Sequence, residues 1–163
     1  MGVTGRRREK LPMVPAGCKA MHHENLGVRP FQLADENSVV QLWRECGLVV
    51  SWNNPHKDIR RKLGVQAELF LVGTDGTQLI ATVMAGYDGH RGWMNYLAVA
   101  PAYRRRGIGR RMVEEIQKRL HALGCPKINL QVRSSNTDVI EFYQKLGFAV
   151  DDAVSLGKRL ETD

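Results

Sequence analysis

The chain has 163 residues, of which 43% are hydrophobic and 25% are charged, and Lys plus Arg outnumber Asp plus Glu by 24 to 17. This length and composition are typical of one globular domain with its own core, and they exclude collagen-like sequence and disulfide scaffolds. No stretch reaches the roughly 18 uninterrupted apolar residues of a membrane span, so we expect no membrane partner. The remaining feature to explain is a net charge of +7.

The basic residues are concentrated in two segments. Residues 1–25 hold five basic and two acidic residues, and residues 104–111 hold five arginines and no acid, which leaves a net charge of −1 for the rest of the chain. A nucleic-acid-binding domain usually spreads its basic residues over one face or along a helix. Concentration in one loop instead favours a local anionic ligand and makes nucleic acid the less favoured partner.

The N-terminal segment differs in composition from the rest of the chain. Residues 1–25 are rich in Gly, Pro and charge and lack the apolar run of a signal peptide, so we expect a disordered basic leader before a single domain over residues 26–163. A leader that contacts nucleic acid is the alternative. Three scattered cysteines, Cys18, Cys46 and Cys125, match neither a disulfide framework nor a zinc site, so we expect a cytoplasmic protein without a metal.

Strand and helix patterns alternate from residue 26 onwards. Helical spacing of apolar residues predicts helices from Asp35 to a stop at Gly47, over residues 55–63, from residue 108 to a stop at Gly124, and over residues 137–146. We expect strands over residues 26–33, 67–73, 79–87, 93–99, 127–132, 148–150 and 155–160. This order predicts an α/β fold with a mixed, mostly antiparallel sheet of six to seven strands and about four flanking helices.

The arginine-rich segment lies between a predicted strand and a long predicted helix. Gly107 and Gly109 stand at the helix entrance, where glycines allow a tight turn that directs free backbone N–H groups outward. The helix dipole and the arginines add positive charge at the same place. The pattern predicts a cradle for phosphate, and an arginine-rich solvated turn is the alternative.

The sequence of this loop resembles the R/Q-x-x-G-x-G/A signature of the GNAT N-acetyltransferase superfamily, which binds the pyrophosphate of acetyl-CoA. The matching residues are Arg104-Arg105-Arg106-Gly107-Ile108-Gly109. A second conserved block of the family resembles Val132-Arg133-Ser134-Ser135-Asn136 and Phe142-Tyr143-Gln144-Lys145-Leu146-Gly147-Phe148. The resemblance covers residues 26–160, and the second half is similar to the ribosomal-protein N-terminal acetyltransferases. It implies the acyl-CoA N-acyltransferase fold.

The resemblance also implies how the chain binds acetyl-CoA. In GNAT enzymes the strand before the phosphate loop diverges from the next parallel strand, and the pantetheine arm fills the gap. The cofactor-binding residues implied in this chain are Leu97, Ala98, Val99, Arg104, Arg105, Arg106, Gly107, Ile108, Gly109, Arg110 and Asn136. For Asn136, capping of the following helix is an equally good explanation.

The resemblance places Tyr143 where the family has its general acid, although packing in the core would also explain this tyrosine. In the ribosomal-protein enzymes a glutamate on the second diverging strand takes the proton from the amine. The matching residue here is Gln131, an amide that cannot accept a proton. The general base is therefore not identified by the resemblance.

Other residues are candidates for the base or for contacts with the acceptor. Glu68, Asp88 and His90 are candidates for the base by residue type alone, and Asp88 and His90 also fit a hairpin turn. The segment that flanks the acceptor in the family corresponds to Trp52, Asn53 and Asp58, although Trp52 could instead cover the core.

The expected function is transfer of an acetyl group from acetyl-CoA to a primary amine in a ternary complex. The acceptor is left open between small-molecule amines and peptide or protein amines. Because Gln131 replaces the expected glutamate, an acyl-CoA-binding sensor without turnover is the first alternative, and a nucleic-acid-binding module is the second. Whether the protein forms a homodimer is also left open, because dimers are common in similar families.

Overall fold

A computed structural model describes residues 26–161, so the expected leader over residues 1–25 lies outside the described part of the chain. One sheet has the strand order β1-β2-β3-β4-β5, with antiparallel pairing except between β4 and β5, which are parallel. The strands are β1 (Leu26–Pro30), β2 (Phe70–Asp75), β3 (Gln78–Tyr87), β4 (Gly92–Val99) and β5 (Ile128–Asn129). This confirms an α/β fold with a mixed, mostly antiparallel sheet.

Four α-helices flank the sheet in the described residues, as expected. They are α1 (Glu36–Glu45), α2 (Pro55–Leu63), α3 (Ile108–Ala122) and α4 (Thr137–Gln144). The start of α2 follows from its sequence, because the side-chain oxygen of Asn54 accepts hydrogen bonds from two backbone N–H groups of the first turn and Pro55 takes the first helical position. Within residues 26–161, no helix is both long and apolar enough to cross a membrane.

The sheet separates two hydrophobic cores. On one face, α3 buries Met112, Ile116 and Leu120, which recur every fourth residue. On the other face, α1 and α2 bury Trp43 and Ile59 against β2, β3 and β4. Helical periodicity in the sequence therefore identified the residues that hold the helices to the sheet.

The expectation of six to seven strands is wrong, because the described residues form five. Residues 148–150 and 155–160 do not join the sheet, and the side chains of Val150, Val154, Leu156 and Leu160 are 77–91% exposed. The strand expected over residues 127–132 is also shorter, since β5 contains only Ile128 and Asn129. A strand needs a neighbouring edge for its backbone hydrogen bonds, and a two-residue edge offers little to the C-terminal segment.

Candidate active site

Strands β4 and β5, the last two of the sheet, pair only over the first two residues of β4 and then separate. Their parallel pairing consists of Gly92 with Ile128 and Trp93 with Asn129, whereas β4 continues to Val99. Beyond Trp93, the edge of β4 that faces β5 therefore does not pair with β5. Three of the expected cofactor-binding residues, Leu97, Ala98 and Val99, lie on this diverging stretch.

A β-bulge interrupts β4 within the same stretch. Thr82 of β3 pairs with Ala98 and Met84 pairs with Asn95, so the single residue Val83 lies opposite two residues of β4, Tyr96 and Leu97. Tyr96 has a left-handed backbone with φ of +51°, which is uncommon for a residue with a side chain. A bulge leaves one residue without its ladder partner and re-aims the strand. Backbone strain of this kind tends to occur at functional sites.

Side chains from α1, β3 and α2 hold the bulge in place. The buried Thr82 hydroxyl accepts a hydrogen bond from Trp43 Nε1 at 2.9 Å and donates one to the carbonyl of Tyr96 at 3.0 Å. The Tyr96 ring stacks on Trp43 with centroids 4.0 Å apart, and its phenol donates to Asp58 Oδ2 at 2.6 Å. The strained residue is therefore fixed through both its backbone and its side chain.

The loop between β4 and α3 has the backbone of an anion cradle. Arg105 and Gly107 have φ of +60° and +80°, and α3 has no acidic residue in its first turn. Left-handed residues in such a turn direct successive N–H groups into one concavity, at the positive end of the helix dipole. Gly109 has a different role, because a Cβ there would lie 3.2 Å from the ring of Phe142 on α4. The two glycines meet separate requirements, one of conformation and one of close packing.

The arginines of this loop are not equivalent. Arg104 turns back toward the sheet, where its Nε donates to the Val99 carbonyl at 3.1 Å and its Nη2 lies 3.5 Å from the Cys46 sulfur. Arg106 lies over the Tyr103 ring at 5.2 Å from its centroid. Arg110 on α3 is 3.9 Å from Glu114. The contacts of Arg104 fasten the loop to the end of β4, a role that the sequence pattern did not indicate.

Tyr143 lies near the C-terminal end of α4, edge-on to the rings of Phe142 and Phe148 at centroid distances of 5.1 and 5.4 Å. Burial raises the pKa of Tyr143 to about 12, because an apolar environment disfavours the phenolate. The side chain therefore remains a proton donor throughout the physiological pH range. Packing and proton donation are compatible here, since burial favours the neutral phenol over the phenolate.

A large cavity of about 1660 Å³ lies between α3, β5, α4 and the C-terminal segment, and Tyr143 and Gln131 both line it. It includes none of the phosphate-loop residues and extends into the space beside the C-terminal segment that does not pair with β5. Gln131 donates a hydrogen bond to the Ser155 hydroxyl. Asn136 stands at the N-terminus of α4 without a side-chain capping bond, so capping does not account for it.

The candidates near the acceptor have different environments. Trp52 is 55% exposed, and its carbonyl accepts a bond from Arg159, while the backbone N–H of Asn53 donates to Val50. Asp88 organises the β3–β4 turn, because its carboxylate accepts bonds from the backbone of His90 and Arg91 and from the Trp93 indole. These backbone hydrogen bonds, led by the one from Arg91, lower the pKa of Asp88. Its contacts are those of a turn residue.

Within residues 26–161, no three His, Cys, Asp or Glu side chains are grouped as a metal site would require.

Comparison with known proteins identifies the family. The sequence profile of the Acetyltransferase (GNAT) family matches residues 36–148, which include the diverging strands, the arginine loop and Tyr143. The chain belongs to the GNAT acetyltransferase family. An acetyltransferase of Yersinia enterocolitica is 45% identical over 136 residues, which cover 83% of this chain and 96% of that protein.

Solved structures resemble this GNAT protein in fold. Ard1 from Thermoplasma volcanium superposes with a TM-score of 0.69 at 22% identity, covering 78% of this chain and 84% of that one. The ribosomal-protein-S18-alanine N-acetyltransferase from Escherichia coli has a TM-score of 0.63 at 21% identity, covering 75% and 76%. At these identities the similarity shows the fold alone. The family and its acetyltransferase relatives support an acetyl-CoA-dependent N-acetyltransferase.

Proposed function

We propose that this protein transfers an acetyl group from acetyl-CoA directly to a primary amine while both substrates are bound. The observation that carries the proposal is the divergence of β4 from β5 beside the left-handed turn of residues 104–109. The bulge and the part of β4 that does not pair with β5 thus lie in the strand that leads into the anion cradle. A single chain that holds both substrates side by side has no need of a covalent acetyl-enzyme.

The residues of the loop suit the phosphates of acetyl-CoA. The backbone N–H groups from Arg105 to Arg110 would meet the pyrophosphate, and the guanidinium groups of Arg105 and Arg106 would add charge-assisted hydrogen bonds. The backbone of Leu97, Ala98 and Val99 would pair with the pantetheine arm, and Asn136 would contact it beyond the gap. When bound, acetyl-CoA supplies an acetyl thioester to the bulged part of β4.

Groups of the chain itself would promote the transfer. A backbone N–H of the bulged stretch of β4, such as that of Leu97, would donate to the acetyl oxygen as negative charge develops there. The Tyr143 phenol would protonate the departing thiolate. Trp52 and Asn53 would flank the acceptor. Asp88 and His90 would serve only to form the β3–β4 turn.

The finer resemblances are part of this proposal. The segments at residues 52–55, 87–92 and 124–127 resemble the bacterial acetyltransferase YpeA, and the second half resembles the ribosomal-protein enzymes. Gln131, which donates to Ser155, argues against the ribosomal acceptor, because the expected proton-accepting glutamate is missing. The same observation favours the second candidate function, an acyl-CoA sensor without turnover.

The variant Tyr143→Phe tests the proposal. It keeps the ring against Phe142 and Phe148 and removes only the hydroxyl, so we expect kcat to fall by about 100-fold or more, as for loss of a general acid. Affinity for coenzyme A, measured by calorimetry, should be unchanged. The matched control is Tyr87→Phe, whose hydroxyl donates to the Gly89 carbonyl in the β3–β4 turn. Equal kcat values for Tyr143→Phe and wild type would show that Tyr143 is not the general acid.

A further inference from the structure

The Tyr96–Asp58 hydrogen bond places a carboxylate beside the bulge of β4. Asp58 lies on α2, 38 positions before Tyr96 in the sequence, and its Oδ2 accepts the phenol proton at 2.6 Å. Tyr96 is followed directly by Leu97, in the stretch where the acetyl group is expected. The structure therefore joins α2 to the reacting region through one short hydrogen bond.

The two oxygens of Asp58 have different partners. Oδ2 faces the buried side, where Tyr96 is stacked on Trp43, whereas Oδ1 lies 3.2 Å from Arg61, whose side chain is 49% exposed. An ion pair at this level of exposure contributes little free energy, so a cationic ligand can replace the arginine at modest cost. The Asp58 side chain is itself 20% exposed, so a ligand can reach this carboxylate from solvent.

Other charged groups around Asp58 come from each neighbouring element. Glu161 of the C-terminal segment is 3.5 Å from Arg61, and Glu36 of α1 is paired with His56 of α2 at 2.6 Å. Tyr96 is the titratable group of β4 in contact with Asp58. Glu36 is thus engaged with His56, Glu161 shares Arg61 with Asp58, and Asp58 is the carboxylate bonded to the bulge.

We propose that Asp58 binds the acceptor as an ammonium ion and accepts its proton, the role that Gln131 cannot perform. The proposal rests on the proposed function and deepens it, because it makes the acceptor an amine that is cationic in solution, such as an alkyl amine. Tyr96 is a positioning residue, since its phenol orients the carboxylate.

The proton balance is as follows. The acceptor ammonium transfers one proton to Asp58 Oδ1, and once the bound acceptor and acetyl-CoA exclude water from this carboxylate, the resulting neutral pair is favoured over the ion pair. The neutral nitrogen then forms the C–N bond as the thioester C–S bond breaks. The sulfur takes the proton of Tyr143, and the second nitrogen proton restores that phenol. The products are an amide, a free thiol and one proton, which Asp58 releases to water.

The variant Asp58→Asn distinguishes this role from a structural one, because the amide oxygen can still accept the Tyr96 hydrogen bond but cannot take a proton at neutral pH. We expect kcat/KM for an alkyl amine to fall by about 100-fold at pH 7. The variant depends on amine that is already neutral, so its kcat/KM should rise about tenfold per pH unit toward the amine pKa of about 10.4. The kcat/KM of the wild type should be nearly constant over that pH range.

The control variant is Glu115→Gln, which removes an ion-paired helix carboxylate on α3 that lies 3.1 Å from Arg119. It should keep the wild-type pH profile. Tyr96→Phe should also keep a flat pH profile, because the Asp58 carboxylate remains, but its kcat/KM should be lower than that of wild type because the phenol no longer orients the carboxylate. Calorimetry in the presence of coenzyme A should show that the acceptor binds more weakly to Asp58→Asn than to wild type. Neither of the other two variants should show this loss.

The outcomes separate the two proposals. If wild type transfers acetyl and Asp58→Asn has the same pH slope, the role of Asp58 is refuted while the proposed function stands. A uniform loss at every pH, with a lowered melting temperature, would likewise show that Asp58 is only structural. If wild type itself transfers acetyl to no amine, it is the proposed function that fails.

Discussion

Gly107 and Gly109 stand one residue apart and are required for different reasons. Gly109 allows α4 to approach α3, because a Cβ would meet Phe142 at 3.2 Å. At Gly107 a Cβ would meet nothing within 4 Å, but φ of +80° is a conformation that other residues adopt only with strain. The sequence identified both glycines, and only the structure separates their roles.

The variant Gly107→Glu tests the anion cradle. It places a carboxylate among the N–H groups that would bind phosphate, so we expect the Kd for coenzyme A to rise by about 100-fold or more through like-charge repulsion. Gly76→Glu is the control, since Gly76 in the β2–β3 hairpin also has a positive φ, of +57°, and open space around it. Both variants should lose similar stability. Unchanged calorimetric affinity in Gly107→Glu would contradict the loop assignment.

At the scale of elements, Thr82 connects α1 to the bulge of β4. It is fully buried, and its hydroxyl both accepts from the Trp43 indole and donates to the Tyr96 carbonyl. Thr82→Val keeps the shape and leaves two buried polar groups without this partner, which should cost about 1–3 kcal/mol of unfolding free energy. Denaturant unfolding measures this loss.

The control for Thr82→Val is Thr74→Val on β2, whose exposed hydroxyl makes only a long 3.5 Å bond to Gly27. It should change stability by less than about 0.5 kcal/mol. If Thr82→Val were as stable as wild type, the hydrogen-bonded support of the bulge would be disproved.

The link between β1 and the turn before α1 depends on pH. Both oxygens of Asp35 accept hydrogen bonds from Arg29, at 2.7 and 2.8 Å, and this guanidinium lowers the pKa of Asp35. A lowered folded-state pKa gives stability that is present above the unfolded value of about 3.9 and is lost as the pH falls through the folded value. With Arg29 partly exposed, we expect this contribution to be about 1 kcal/mol at neutral pH.

The variant Asp35→Asn measures that contribution. Its melting temperature should be lower than that of wild type at pH 7, and the two should converge as the pH falls below about 4. A difference between the two proteins that stays constant from pH 7 to pH 3 would show that the Arg29–Asp35 pair does not titrate as described.

At the scale of the whole molecule, local patterns predicted the elements better than the connections between them. The recurrence of Met112, Ile116 and Leu120 at every fourth residue predicted α3, and the two glycines predicted the turn at its start. The bulge and the Tyr96–Asp58 contact depend on pairing between distant residues, which no local period encodes. Residues 155–160, which we expected to form a strand, find no partner edge among the described residues. The periodicity of apolar residues is encoded locally in the sequence, whereas strand register and strand pairing arise only in the folded chain.

The net charge of +7 has a specific place in this account. Five arginines lie in residues 104–111, around the proposed phosphate site, and the body of the chain outside that loop and residues 1–25 is slightly acidic. A domain charged in this way should bind nucleic acid weakly, and coenzyme A should compete with any such binding. Nucleic-acid binding that coenzyme A does not displace would place the basic function elsewhere in the chain.

The most direct test of the central claim is release of free thiol from acetyl-CoA in the presence of a panel of amines. The panel should contain alkyl amines, polyamines, aminoglycosides and peptides with a free N-terminus or lysine. We expect steady thiol release above the rate without amine for at least one class, and its loss in Tyr143→Phe. Tight binding of acetyl-CoA with no amine-dependent thiol release in any class would contradict the account and make the protein a sensor of acyl-CoA.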